Sequence, residues 1–551
     1  MSNDSTLVES ADSSSSKDAL PANDEHNLFL RYNILGNVVL ILLIYQFARY
    51  LMLFSCSLDE SNYSAFSFLL QIPFAGTKQL VLLLAVCLYS ASNIRLKWSD
   101  IGQENKFLTN ALRLLMSVAA FTLCWTASTY PYNYYYDKLH LIDRLFVGIL
   151  WGGFVFRPGI APLLLFVVVC SINQFDPLFG TLSWTDKLVP TGLLLIFLSA
   201  LLLRTIGKQT ATGHSLLICF LLLVSSHYFI PGLGKLEIRW WEHARIYNII
   251  YAAYQNGWLA SLDETQFHEI VKLVKPWNGV MVVFTLIVEV GAMFVFFSKR
   301  IAIFLCAGWS MLHIGIFIFS GICFWKWLMV DLSMLVTICY MPLGISKIMF
   351  GFRQGLVMLV LILTSWYTLK PVNLAWFDTQ VVHTYQFELT GKSGVKYNIS
   401  KSFFKPYALV FSQNRLGFLS NQNLLTGTYG MTIDPQLADL LSENKINCQD
   451  LIQLKKYRLE QMNDEARTNA FEKYISTYFH NINKNIRFTH SRNYPYLTGF
   501  PLHIWTFSKG NDYNFQEIIT KVDIYLLTTI SHDNNTEVCS RILLDTVSIP
   551  Q

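Results

Sequence analysis

The chain is poor in charge. Only 14% of its 551 residues are Asp, Glu, Lys or Arg, while 53% are hydrophobic; a soluble domain carries about 25% charged residues. That deficit excludes a soluble globule for the chain as a whole. Dense blocks of Lys or Arg are missing too, at a net charge of +5, so nothing points to a nucleic-acid partner. The ten cysteines include no CxxC, which speaks against a thiol–disulfide oxidoreductase. There is no HExxH and no His/Cys ligand spacing, so no metal is inferred. Nucleotide-binding loops and GxSxG elbows are also absent. Residues 1–27, with four consecutive serines at 13–16, lack the basic start and apolar core of a signal peptide and read as a disordered polar tail.

Long apolar runs are what the chain does have. They fall at about 33–55, 78–94, 108–127, 143–172, 188–204, 214–231, 279–297, 301–321, 324–343 and 353–370, and about 20 apolar residues suffice to cross a bilayer. Continuous rather than alternating runs predict helices, not barrel strands. The expectation is an all-α multi-pass transmembrane bundle of about nine or ten spans over residues 28–375. The fourth run carries Arg157-Pro158-Gly159, which predicts a kink, a re-entrant turn or two short pieces. Arg95, Lys97 and Lys106 between the second and third spans, set against Asp59 and Glu60 after the first, favour a cytoplasmic N-terminus.

Between the sixth and seventh runs, residues 235–276 mix aromatics with charges. The stretch from Asp263 to Lys275 reads as an amphipathic helix capped by Ser261, lying at the membrane surface. From residue 376 to 551 the pattern becomes that of a soluble α+β domain. A hairpin is predicted around Gly391–Gly394, helices over 434–482 with Asp434-Pro435 opening one, and strands and loops from Arg487 onward. Eight cysteines lie in or beside apolar runs and read as small hydrophobes. Cys448 and Cys539 stand in the polar tail, where the sequence leaves their pairing open. Asn62-Tyr-Ser, Asn398-Ile-Ser and Asn534-Asn-Thr match the N-glycosylation tripeptide.

Ionisable residues within apolar runs are the candidates for chemistry. Lys235 follows Pro231-Gly232-Leu-Gly234 at the end of the sixth run. A partly desolvated amine there is a usable base; the competing reading is a lysine reaching headgroups beside an aromatic belt of Trp240 and Trp241. Glycines before it let a backbone or ligand approach. His227 and His313 lie in different spans, with His214 opening the sixth. Glu289, Asp331 and Lys326 sit inside later runs, and Asp143 and Arg144 begin the fourth; for each, a structural ion pair competes with a functional role. Lys326 and Asp331 are five apart and do not share a helix face.

The run His227-Tyr-Phe-Ile-Pro-Gly-Leu-Gly-Lys-Leu-Glu-Ile-Arg-Trp240 resembles a signature of the HTTM superfamily, which contains the vitamin K-dependent gamma-glutamyl carboxylases. Tyr228, Phe229, Ile230, Gly232, Lys235, Leu236, Glu237 and Trp240 occupy its positions. The run from His313 through Trp325-Lys326-Trp327 looks like the family's following His-containing span. The resemblance covers about 220–345. It implies a lyase- or monooxygenase-type reaction in which Lys235 deprotonates reduced vitamin K or another quinol, with His227 and His313 beside it. Tyr228, Gly232, Glu237, Trp240 and Asp331 are then expected around the substrate, in the company of membrane lipid and a peptide substrate. The animal carboxylases have a lysine doublet where this chain has Gly234-Lys235. Their upstream Asn/His motif has only a distant stand-in at Asn173–Asp176, and no propeptide-binding counterpart is recognisable in the tail.

Three classes of function follow: an enzyme using Lys235 on an apolar substrate; a transporter or lipid-binding protein with Glu289 and Asp331 along a path; or an assembly factor acting through the tail. The absence of an internal repeat counts against the transporter.

Overall fold

A computed structural model of the chain describes residues 21–103, 105–175, 187–206, 213–404, 406–408, 411, 416–420, 424–442, 446–457, 464–485, 501–507 and 512–550. It is mostly helical. The apolar part contains α1 (Pro21–Ser55), α2 (Thr77–Ser92), α3 (Lys106–Thr129), α4 (Leu141–Phe156), α5 (Ala161–Asn173), α6 (Leu188–Ile206) and α7 (Gly213–Glu237). It continues with α8 (Asn248–Gln255), α9 (Glu264–Val274), α10 (Asn278–Val290), α11 (Lys299–Ser320), α12 (Trp325–Cys339), α13 (Leu343–Met349) and α14 (Phe352–Leu363). The polar tail is thus shortened at its C-terminal end, because α1 takes in residues from Pro21 onward; residues 1–20 lie outside the described ones.

Among the described residues six helical stretches are long and apolar enough to cross a membrane: Asn33–Met52, Lys106–Thr129, Leu188–Thr205, Gly213–Glu237, Glu264–Phe294 and Lys299–Ser320. The other apolar runs are shorter or broken. The ninth run splits into α12 and α13, bent by 118°. The fourth is two pieces: α4 ends at Phe156, with Arg157 as its cap, and a short 3-10 turn opened by Pro158, whose missing N–H suits a helix start, leads into α5. The two run back to back. Asp143, at the start of α4, accepts from Phe68 N at 3.1 Å, and Cys170 O, at the end of α5, accepts from Tyr63 Oη at 2.8 Å, so both ends meet one loop. Asp143 and Arg144 therefore have structural partners; Arg144 Nε donates to Leu139 O at 2.6 Å.

α7 is the axis of the bundle, buried along almost its whole length, as expected of a helix that is hydrophobic all round. The helix α9 starts two residues later than the predicted cap implies: Asp263, not Ser261, accepts from Gln266 N, and Gln266 returns the bond to Asp263 N. The carboxylate wins because it lies three residues before a Gln, which completes a capping box.

The tail holds α15 (Pro435–Ser442), α16 (Cys448–Gln453) and α17 (Glu465–Lys484), with strands β1 (Phe377–Asp378), β2 (Val381–Gly391), β3 (Lys396–Ile399), β4 (Met431–Thr432), β5 (Ile519–Ser531) and β6 (Thr536–Ser548). The predicted hairpin is present: β2 pairs antiparallel with β3, Phe387 opposite Ile399. A four-stranded sheet runs β3-β2-β5-β6, and β1 and β4 form a separate two-stranded one. Phe404, Phe411, Phe471, Tyr474, Tyr478 and Phe479 form its aromatic core. Cys448 and Cys539 are joined by a disulfide.

The domain sits on one end of the bundle. Glu60 meets Lys473 at 3.5 Å, Asn481 Nδ2 donates to Tyr134 O at 2.9 Å, and Trp505 N donates to Gly321 O at 3.0 Å. Because successive apolar helices reverse direction, the links 93–105, 157–160, 295–298 and 340–351 fall at the other end. There Trp98 Nε1 donates to Val155 O at 3.0 Å, and Lys299 Nζ to Met341 O at 2.9 Å.

Candidate functional site

Lys235 lies in the last turn of α7 and is buried. It does not reach toward headgroups. Its Nζ donates to both carboxylate oxygens of Glu289 on α10, at 2.9 and 2.7 Å, and to Leu374 O at 3.2 Å. The Trp240 ring stands 5.6 Å from Nζ, and Trp240 Nε1 donates to Trp376 O at 2.8 Å. The segment after the last apolar helix therefore folds back over the lysine.

The Pro-Gly-x-Gly run explains how these parts get so close. A Cβ on Gly232 would lie 2.9 Å from Val290 N and 3.0 Å from the Glu289 carbonyl carbon. A Cβ on Gly234 would lie 2.2 Å from Asn373 Oδ1. Gly232 leaves room for the α10 backbone that carries Glu289, and Gly234 leaves room for the Asn373 side chain next to Leu374.

Asp378, in β1, lies just beyond. It is buried, and its Oδ1 has no hydrogen-bond partner. Burial pushes its carboxyl up to about 7, opposed by a bond from Trp376 and by the charge of Lys235. It is a second carboxyl within electrostatic reach of the amine, and sequence reading missed it. The available signal was its place as the first acidic residue after the last apolar run.

Two helical turns back along α7, about 10 Å along the axis, a second polar group is embedded in aromatic rings. Tyr228 Oη donates to Asp331 Oδ2 at 2.6 Å. His313 Nδ1 lies 3.3 Å from the same oxygen and 3.4 Å from Tyr228 Oη. The Tyr228 ring stacks on Trp309, with centroids 4.5 Å apart and planes 2° from parallel. Trp327 stands edge-on to Tyr228, His227 and His313. Trp325 Nε1 and Trp327 Nε1 are buried donors without acceptors, the kind of orphan group that a native interior rarely leaves unmet.

The site residues expected from the sequence divide accordingly. Lys235, Gly232 and Trp240 belong to the first group; Tyr228, His313 and Asp331 to the second. His227 is buried beside the second group, but its Nδ1 is held by Leu223 O of its own helix at 2.9 Å. Glu237 is exposed and takes no part in either group. Glu289 and Asp331 are paired in different groups, Glu289 with Lys235 and Asp331 with Tyr228 and His313. Asp331 finds its partner on another helix because, five residues on from Lys326, it faces another way. Lys326 is itself buried, its Nζ 4.8 Å from the Trp325 ring. Trp309 was missed, although it stands one turn before His313. Among the described residues no set of three His, Cys, Asp or Glu side chains is grouped to hold a metal ion.

Comparison with family models, with curated proteins and with solved structures finds no match to this chain.

Proposed function

We propose that the chain is a multi-pass membrane enzyme that takes a proton from an apolar substrate bearing an acidic hydroxyl, a quinol or phenol, and that Lys235 and Glu289 are the proton-accepting pair. The observation that carries this reading is the buried pair itself, closed on one side by the 373–378 segment and continued along α7 by the Tyr228–Asp331–His313 group. Transfer of the Nζ proton to Glu289 leaves a neutral amine and a carboxylic acid. The amine then accepts the hydroxyl proton of the substrate, so that the substrate anion faces an ammonium and charge is conserved. An ionisable pair inside apolar helices is costly to keep, and a role in proton transfer is a reason to keep it. The resemblance of residues 220–345 to the carboxylase-like superfamily supports the same assignment and suggests reduced vitamin K as the first quinol to try.

A quinol, when bound, supplies acidic hydroxyls on a flat apolar ring. The rings of Trp309, Trp327 and Tyr228 pack against one another in the buried core, so such a ring enters by parting them, and Trp327 Nε1 is a buried donor without an acceptor there.

The test is turnover of a reduced naphthoquinone by the full-length protein in detergent or nanodiscs. The paired variant Lys235→Met with Glu289→Leu removes both charges at similar volume and so spares the fold. Wild type is expected to consume the quinol faster than the buffer background and the paired variant is not. A wild type with no turnover, or a folded paired variant with undiminished turnover, would overturn the proposal.

A further inference from the structure

The disulfide, the glycosylation tripeptides and the loop charges together bear on which way the protein faces. Cys448 opens α16 and Cys539 lies in β6, 91 residues apart in sequence and joined with Cα atoms 4.9 Å apart. Disulfides persist in oxidising compartments and are rare where glutathione keeps thiols reduced. The remaining eight cysteines of the described residues are free, and five of them are buried. The bridge therefore places the C-terminal domain, and the end of the bundle it sits on, toward an oxidising compartment.

The charges of the short links agree. The links at the opposite end contain Arg95, Lys97, Arg157 and Lys347. At the domain end, links 56–76 and 321–324 contain no Lys or Arg, and 130–140 contains Lys138 alone. Excess Lys and Arg in short links marks the cytoplasmic side. The longer stretch 238–276 at the domain end does carry Arg239, Arg245, Lys272 and Lys275. That stretch counts the other way, because the rule counts Lys and Arg whether or not acids stand beside them, and the orientation rests on the disulfide.

All three glycosylation tripeptides lie at the domain end. Asn62 is within a few residues of the end of α1 and next to the apolar helices. Asn398 is in a strand flanked on both sides, opposite Glu388 and bridged to Asp512. Asn534 is different. It is exposed in the turn between β5 and β6, a turn closed by His532 N donating to Asn535 O at 2.8 Å. Its flanks are fixed, Asp533 by Lys275 and Thr536 N by Glu264 at 2.7 Å, while Asn534 itself stays open to solvent. It is also more than 160 residues beyond the end of α14, so the chain around it has cleared the membrane when it is made.

We propose that the domain-bearing end faces an oxidising, non-cytoplasmic compartment and that Asn534 there is a site of N-linked glycosylation. The same orientation puts the N-terminal end of α1 in the cytoplasm.

The experiment is synthesis of the full-length, C-terminally tagged chain in eukaryotic microsomes. Endoglycosidase is expected to increase its gel mobility. Asn534→Gln and Thr536→Ala should run at the deglycosylated position with no further shift, and Thr536→Ser should keep the glycan. In sealed microsomes the tag should resist added protease and lose that protection with detergent. An unglycosylated wild type, or a glycan that survives Asn534→Gln, overturns the site. A tag digested in sealed microsomes overturns the orientation.

Discussion

Lys235 on α7 and Glu289 on α10 hold each other through both carboxylate oxygens, at 2.9 and 2.7 Å, in a place from which water is largely excluded. Removing one partner leaves an uncompensated buried charge, at a cost of about 3–5 kcal/mol. Glu289→Ala and Lys235→Ala are therefore expected to melt well below wild type in detergent, and the paired Lys235→Met, Glu289→Leu variant to recover most of the loss. Thermal unfolding followed by tryptophan fluorescence reads the order. Equal melting of single and paired variants would mean that the two groups are not energetically coupled.

Gly234→Ala tests the close approach of the 373–374 segment. The added methyl would meet Asn373 Oδ1 at 2.2 Å, so one side must move, at about 1–3 kcal/mol for an overpacked interior. Only atoms of the Asn373 side chain lie in the way, so that side chain must turn out of its place. A lowered melting temperature is expected. Gly279→Ala, where the new methyl meets nothing, should melt like wild type.

The disulfide closes a loop of 91 residues, and a loop of that size contributes about 2–5 kcal/mol through the restricted unfolded chain. Reduction, or Cys448→Ser with Cys539→Ser, is expected to lower the denaturant midpoint of the tail. The apolar helices, which contain neither cysteine, should keep their helical signal. Indifference of the tail to reductant would contradict this.

Lys401 gives a pH dependence. It is buried, its Nζ donates to Asn256 Oδ1, and burial pushes it down to about 7. The folded state thus favours the neutral amine. The stability this allows is fully present above the ordinary lysine value near 10.5 and is lost as pH falls through 7. Lys401→Met removes the dependence. The stability of Lys401→Met relative to wild type should rise on going from pH 10 to pH 6, as measured by denaturant midpoints. A difference that is flat across that range would show that Lys401 stays charged in the fold.

Parts of this arrangement can be read from residues alone. Continuous apolar runs announce helices, Gly391–Gly394 announces the β2–β3 hairpin, and Arg157-Pro158-Gly159 announces a break. Lys235 stands out as a lysine after Pro-Gly-x-Gly. What cannot be read is the partner. Glu289 is 54 positions away, and which of Glu289, Asp331 or Lys326 would face Lys235 depends on how α10 and α12 rotate about their axes. The same holds for Tyr228, expected beside a substrate, whose hydroxyl meets Asp331 and His313 arriving from two other helices. Local rules decide local features; the Ser261 cap was displaced because a better box lay two residues on. Groups assembled across helices follow packing, which a single sequence does not display.

The pairing of β2 with β5 brings together Tyr385 and Leu526 across the whole tail. Non-local pairing of this kind is slow, because the intervening chain must be closed into a loop first. It also has a consequence for synthesis. A ribosome that has finished the apolar helices and β2 must make more than a hundred further residues before β5 exists. Until then β2 exposes one unpaired, largely apolar edge, a surface that recruits other strands. The tail is therefore a late-maturing part of the molecule that depends on its last thirty or so residues. A chain that stops short of Ile519 would carry an adhesive strand beside a fully made bundle, and its fate would be aggregation or removal by quality control rather than partial activity.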